Sequence, residues 1–320
     1  MAGRQMRSGR SYAPSLVMGC LFCLLAAWHT TAADPPLIVC STTQTADFAR
    51  QVVGDRFRVV SILAPGQDPP LYEIKSADAQ LVARAALCVE NGWHLEGKDW
   101  MRTLARTANK PLVTCVEGVE PLLLPGEKEE ERVRDPHAWF RPANAVIYVH
   151  NILRAVVKLD PEHRREYEAR ADLYSRELRT LHLWIEKELE RIPPEHRVLV
   201  TSHDAFNYFC RTYGFRAAAP AGWSTGAEAG AGVTPGRRRQ AVESIRQFGV
   251  PAIFVETSVN PKLIRQIAED AGVTVGGALY SDSMGEPGSA GETYVGMMRE
   301  NVLKLVQSLA PRDSTRSENN

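Results

Sequence analysis

The chain of 320 residues lacks an excess of either charge: 38 Lys and Arg stand against 38 Asp and Glu. That balance excludes a nucleic-acid binder held by a basic surface. It also excludes a disordered acidic chain. Cysteine is scarce, six residues in all, too few for a disulfide scaffold of this size. No apolar run reaches the ~18 residues that a membrane-spanning helix requires, and no internal repeat of ~20–50 residues is present. A His-Glu-x-x-His helix and a nucleophile elbow are both missing, which removes two familiar hydrolase signatures. The remaining composition, 44% apolar and 24% charged, is that of a globular protein. Its length suits two domains of ~100–200 residues.

The charge balance is not uniform along the chain. Arg4, Arg7 and Arg10 precede an apolar stretch from Leu16 to Trp28, and small residues up to Ala33 follow. A basic start, a short apolar core and small residues describe a secretory signal peptide over residues 1–33. Thirteen residues rise only ~20 Å as a helix, too little for a ~30 Å hydrocarbon core. Val17-Met18-Gly19-Cys20 loosely resembles a lipoprotein box but sits early in the apolar run, so lipidation at Cys20 is the secondary reading. Without the leader, 35 basic residues face 38 acidic ones, and Cys40, Cys88, Cys115 and Cys210 remain. The first three lie in apolar, strand-like runs and read as buried thiols. An exported compartment permits a disulfide, but sequence assigns none.

Short apolar runs followed by helical patterns recur. Leu37–Cys40 precedes a helix at Thr45–Val53, and Phe57–Leu63 precedes a Pro-rich loop and a helix at Ser76–Ala86. Val198–Thr201 precedes Phe206–Tyr213, and Ala252–Val255 precedes Lys262–Ala271. Such alternation predicts an α/β fold with parallel sheets and helices on both faces. One segment departs from it. From Pro161 to Arg191 there is no glycine and no further proline, and Tyr167, Ala171, Tyr174, Leu178, Leu181, Ile185 and Leu189 recur at helical spacing. With Asp160 as N-cap, Pro161 in the first turn and Pro193-Pro194 at the end, this reads as one long helix of ~45 Å. A coiled-coil seam would look similar, and an intramolecular spine is the expectation. The predicted organisation is an N-terminal lobe at 34–159, a linking helix at 160–192, a C-terminal lobe at 193–310 and a tail at 311–320.

Seven histidines follow the leader. His150, His163, His182 and His196 read as surface or packed residues, and His94 stays open in a loop after a strand. Three positions have a more informative context. His137 lies in Asp135-Pro136-His137-Ala138-Trp139. His203 lies where a strand ends and a helix begins, and Asp282 follows an apolar run in Tyr280-Ser281-Asp282-Ser283. In open parallel sheets, ligands bind beyond the strand C-termini. Two imidazoles and a carboxylate converging there suit Zn²⁺ or Mn²⁺. Spacings of 66 and 79 residues alone do not establish such a site.

From about Leu37 to Leu309 the chain resembles the zinc/manganese class of periplasmic solute-binding proteins of ABC transporters. Asp135-Pro136-His137-Ala138-Trp139 looks like the family's Asp-Pro-His-x-Trp. Ser202–Phe209 looks like its Ser-His-Asp-Ala-(aromatic)-x-Tyr-Phe segment, and Tyr280-Ser281-Asp282-Ser283 like its Tyr-Ser-Asp-Ser. Ile253–Glu256 and Glu292–Met298 are similar to flanking segments. The resemblance implies two α/β lobes joined by one long helix. It also implies metal ligation by His137, His203 and Asp282, and delivery of the metal to a membrane permease by a monomeric receptor.

Two departures stand out. The family's first ligand lies in Gly-x-Asp-Pro-His-x-Tyr-Glu, and here the stretch is Gly66-Gln67-Asp68-Pro69-Pro70-Leu71-Tyr72-Glu73. Pro70 has no side-chain donor atom, so water, His94, Asp68 or Glu73 could complete the site. Some zinc-specific members carry a His-rich loop before His137. This chain has Glu127–Arg132 instead, which reads as a solvated charged loop. Glu256, at a strand end, is a candidate acceptor orienting a histidine. The leading expectation is therefore a metal receptor. The alternatives are a binding protein that has lost its metal, suggested by Pro70, and a hydrolytic zinc site with an open position. Metal binding is expected to weaken below roughly pH 6, because free imidazoles protonate near ~6.5.

Overall fold

Strand β1 (Leu37–Cys40) is an uninterrupted apolar run, and only its first residue escapes full burial. That pattern belongs to a parallel strand covered on both faces. The computed structural model describes residue 1 and residues 34–125, 132–201, 203–218, 235–257 and 261–311. The rest of the expected leader with Cys20, the Glu127–Glu131 stretch and the tail beyond residue 311 lie outside them.

Helix α1 (Thr43–Val53) begins at Thr42, whose Oγ1 accepts the Thr45 backbone N–H while Thr45 Oγ1 accepts that of Thr42. This reciprocal capping box satisfies two donors that a helix start otherwise leaves free. Then follow β2 (Arg58–Ser61), α2 (Ser76–Ala83), β3 (Leu87–Glu90), α3 (Trp100–Thr107) and β4 (Leu112–Thr114). The four strands form a parallel sheet in the order β2-β1-β3-β4, with Val39 opposite Val60 and Cys88. Helix α2 ends at Ala83, short of the expected Ala86, because Arg84 and Ala85 close the last turn with i to i−3 bonds. An antiparallel ribbon of β5 (Leu123–Pro125) and β6 (Arg132–Arg134) leads directly into Asp135.

Helix α4 (Pro142–Leu159) is followed by a tight 3₁₀ turn at Pro161–His163 and then by α5 (Arg164–Leu189). The expected long helix thus starts one turn later than Pro161, and it runs 26 residues, ~39 Å. Asp160 does not cap it. Its carboxylate instead accepts the Tyr167 hydroxyl at 2.5 Å and lies 2.8 Å from His163 Nδ1. All seven stripe residues from Tyr167 to Leu189 are buried, against α1, α4 and the last helix, which fills the seam from within the chain.

The second half contributes β7 (Val198–Val200), α6 (Asn207–Tyr213), β8 (Arg216–Ala218), α7 (Pro235–Phe248), β9 (Ala252–Glu256), α8 (Pro261–Ala271), β10 (Thr274–Leu279) and α9 (Tyr294–Leu309). β7 pairs with β8 and β9 with β10, both parallel, and β7 also contacts β9. The architecture is α/β, with parallel sheets flanked by helices, as the alternation predicts. The described residues from Pro35 onward form one compact unit. One apolar core joins residues from both halves, including Phe48, Tyr148, Leu178, Phe209 and Tyr294. Cys40, Cys88, Cys115 and Cys210 are all buried and free. Among the described residues no helix is long and apolar enough to cross a membrane.

Candidate metal centre

Three strand ends deliver the candidate side chains. The β5–β6 ribbon ends at Arg134, and Asp135 and Pro136 then carry the chain to His137. The Asn91 side chain, hydrogen-bonded to the Tyr148 hydroxyl, donates to the Pro136 carbonyl at 3.0 Å. Two residues beyond His137, the Trp139 carbonyl accepts the Tyr294 hydroxyl at 2.6 Å. His203 follows β7, in a turn where Thr201 Oγ1 donates to the His203 carbonyl at 2.9 Å. Asp282 follows β10. Asn301 holds the residue just after that strand, accepting the Tyr280 N–H and donating to the Tyr280 carbonyl. Helix α1 then brackets Asp282. Gln44 Nε2 donates to the Ser281 carbonyl at 3.0 Å, and the Met284 N–H donates to Thr43 Oγ1 at 2.9 Å.

These supports bring His137, His203 and Asp282 together, with one potential ligand atom from each lying within 4.8 Å of the others. The Asp282 carboxylate spans the two rings: Oδ1 lies 3.2 Å from His137 Nε2, and Oδ2 lies 3.1 Å from His203 Nε2. The ring centroids are 5.4 Å apart at 62°. Each far ring nitrogen faces another carboxylate. His137 Nδ1 lies 2.7 Å from Asp135 Oδ1, which also accepts the His137 backbone N–H. His203 Nδ1 lies 2.6 Å from Glu256 Oε2, while Glu256 Oε1 accepts the His203 backbone N–H at 3.0 Å. The His203 ring meets its two carboxylates at these distances without in-line hydrogen-bond geometry.

Burial works against a charged ring at His137, but Asp135 and Asp282 outweigh it and hold the imidazole up at about 9. The same contest, with Glu256 and Asp282 as the carboxylates, holds His203 well above the ordinary imidazole value. Burial also opposes the charge of Asp282, yet the two rings keep its carboxyl well below the usual carboxylate range. The carboxylates that favour charged rings here would equally favour a cation in place of those protons. A cation of charge two in their place would meet two neutral imidazoles and a carboxylate, a donor set that suits Zn²⁺ or Mn²⁺.

The candidates for a further donor separate clearly. His94 sits in a left-handed turn with φ +63°, its side chain 81% exposed and 3.1 Å from Asp99. Glu73 and Pro70 are exposed. Asp68 is half-buried, and its Oδ1 is buried with no hydrogen-bond partner. Burial and the nearby Asp282 push its carboxyl up to about 6. His150, His163, His182 and His196 bond to Val146, Asp160, Tyr213 and Leu309 respectively, away from this centre. Sequence reasoning raised Glu256 as a possible orienting group but missed Asp135. The signal available was a carboxylate two residues before a candidate ligand, with proline between them.

Fold and constellation together are those of an α/β solute-binding protein. Over residues 38–308 the chain matches the family described as zinc-uptake complex component A, periplasmic, and it belongs to that family. The manganese ABC transporter substrate-binding lipoprotein PsaA of Streptococcus pneumoniae is 30% identical over 301 residues, covering 92% of this chain and 96% of the relative. The manganese-binding lipoprotein MntA of Bacillus subtilis is 35% identical over 286 residues, covering 87% and 91%. The solved periplasmic zinc-binding protein TroA of Treponema pallidum superposes with a TM-score of 0.78 at 30% identity, covering 87% of this chain and 100% of its own. The Mn-bound periplasmic metal-binding protein of Candidatus Liberibacter asiaticus gives 0.74 at 28% identity, covering 86% and 99%.

Proposed function

We propose that this chain is an extracytoplasmic receptor that captures a divalent transition metal, Zn²⁺ or Mn²⁺, and passes it to the membrane permease of an ABC transporter. In this reading His137, His203 and Asp282 are the ligands. Asp135 and Glu256 orient the rings through Nδ1, leaving both Nε2 atoms for the cation. The observation that carries the proposal is the convergence of three potential ligand atoms within 4.8 Å, backed by one carboxylate behind each ring. Carboxylate-supported imidazoles are the usual way a protein fixes the tautomer and direction of metal-binding histidines. The cation sits between an N-terminal lobe at 34–159 and a C-terminal lobe at 193–310, with the 160–192 segment as their link. The protein acts as a monomer and works by binding and release, with no catalysed step.

The relatives named above as lipoproteins favour lipid attachment at Cys20 after export, over simple leader cleavage. This reverses the order read from the apolar run alone. Intact-mass measurement of the exported protein, with Cys20→Ala as comparison, distinguishes the two.

Calorimetric titration with Zn²⁺ and with Mn²⁺ tests the central reading. The exported protein is expected to bind at least one metal far more tightly than the His137→Ala/His203→Ala double variant. Equal binding by the two would sink it.

A further inference from the structure

The stretch that should carry the family's first ligand has a proline at position 70, yet its fold keeps the neighbouring chain close to the other ligands. The Gly66 N–H donates to Ser283 Oγ at 2.8 Å, tying this loop to the residue next to Asp282. Farther along, Trp100 Nε1 donates to the Pro69 carbonyl at 3.1 Å. The Pro70 carbonyl lies against Gly97 so closely that a Cβ there would come within 2.6 Å of it, and Gly97 itself sits at φ +56°. Asp68 is held between the Gly66 and Pro69 tethers.

Its carboxylate is poised in an unusual way. The charged side chains that act on it are Asp282, His203 and His137, although it lies outside the group those three form within 4.8 Å. Oδ1 is left buried without a hydrogen-bond partner. An unpaired buried carboxylate oxygen is costly unless something fills its place. A cation among these groups would do so.

We propose that Asp68 supplies the fourth donor of the metal site, in place of the imidazole that position 70 no longer offers. This rests on the reading of His137, His203 and Asp282 as ligands. The donor set is then two imidazole nitrogens and two carboxylate sides, neutral overall around a divalent ion. Oxygen donors favour Mn²⁺ relative to Zn²⁺ more than a third imidazole would.

The test is calorimetry with Zn²⁺ and with Mn²⁺ on the exported protein, the Asp68→Asn variant and the His137→Ala/His203→Ala double variant. It is paired with the visible ligand-field spectrum of each Co²⁺-loaded form. Asp68→Asn keeps the shape and removes the charge. It is expected to lose at least about tenfold in affinity, more for Mn²⁺ than for Zn²⁺, and to change the Co²⁺ bands. Thermal melting of the metal-free forms checks folding, and Asp68→Ala serves as the second variant if the amide disturbs it. Unchanged affinities and an unchanged Co²⁺ spectrum in Asp68→Asn, with binding lost in the double variant, would overturn the role of Asp68 and leave the three-residue site standing. Failure of the unaltered protein to exceed the double variant would remove the site itself, a different and separable result.

Discussion

Glu256 meets His203 at two points: one carboxylate oxygen accepts its backbone N–H at 3.0 Å, and the other lies 2.6 Å from ring Nδ1. Strand β9 thereby sets both the position and the direction of a residue that follows β7. Glu256→Gln keeps the backbone acceptor but weakens the pull on the ring. Metal affinity is expected to fall about 10- to 100-fold, with a thermal transition close to that of the parent. Titration calorimetry checks the first and calorimetric melting the second.

Asp135 does the same for His137 from two residues away. Asp135→Asn is expected to lower the value at which His137 takes up a proton, because Asp135 is the strongest opponent of its burial. NMR titration of the His137 ring in the metal-free protein measures it. An unmoved titration would show that Asp282 alone sustains the charged ring.

The pH dependence follows with a definite sign. His137 is held up at about 9 in the folded chain, against ~6.5 for a free imidazole. Its stabilising contribution to the metal-free fold is therefore fully present below about 6.5 and lost as pH rises through about 9. Metal must displace that proton, so apparent affinity rises over the same interval and protons are released on binding. The sequence-level expectation of weakening only below roughly pH 6 is thus moved upward, because three carboxylates surround rings that were treated as free. Calorimetry at pH 7 in two buffers of different ionisation enthalpy is expected to show net proton release. Zero release would contradict the charged rings.

Pro70→His tests whether position 70 still faces the site. The new imidazole adds a softer donor, and Zn²⁺ affinity is expected to rise about tenfold or more, with a smaller change for Mn²⁺. Unchanged affinity for both ions would mean that the loop, pinned at Gly66, Pro69 and Gly97, directs position 70 elsewhere.

Leu178 lies in the middle of the α5 stripe and is fully buried. Leu178→Ala removes packing against both halves of the core and is expected to cost about 2–5 kcal/mol in unfolding free energy. Denaturant titration measures it, and metal affinity at a temperature well below the transition is expected to stay unchanged.

Much of this was legible in the chain itself. The α5 stripe was readable because seven apolar residues at helical spacing leave few alternatives, and all seven are buried. The parallel strands were readable as apolar runs, since both of their faces are covered. The β5–β6 ribbon was not, because strands of three residues are too short to show an alternation, and all three side chains of β6 are exposed. Helix α3 was also missed. His94 looked open as a donor until the turn around Gly92 and Gly97 placed it outward at φ +63°. Asp68, His94 and Glu73 are equivalent on paper. Tertiary structure separates them: the tether between Gly66 and Ser283 holds the loop of the first inward and buries its Oδ1, while His94 and Glu73 stay exposed.

The loop that carries Asp282 follows β10 in sequence, yet it hangs from α1, through Gln44 on one side and Thr43 on the other. The Met284 amide proton is engaged in one of those two anchors. On the reading of Asp282 as a ligand, a displacement of it that lets cargo leave is expected to strain that anchor, and the exchange rate of the Met284 amide to rise with it. A bond that touches no cargo would then report on its release.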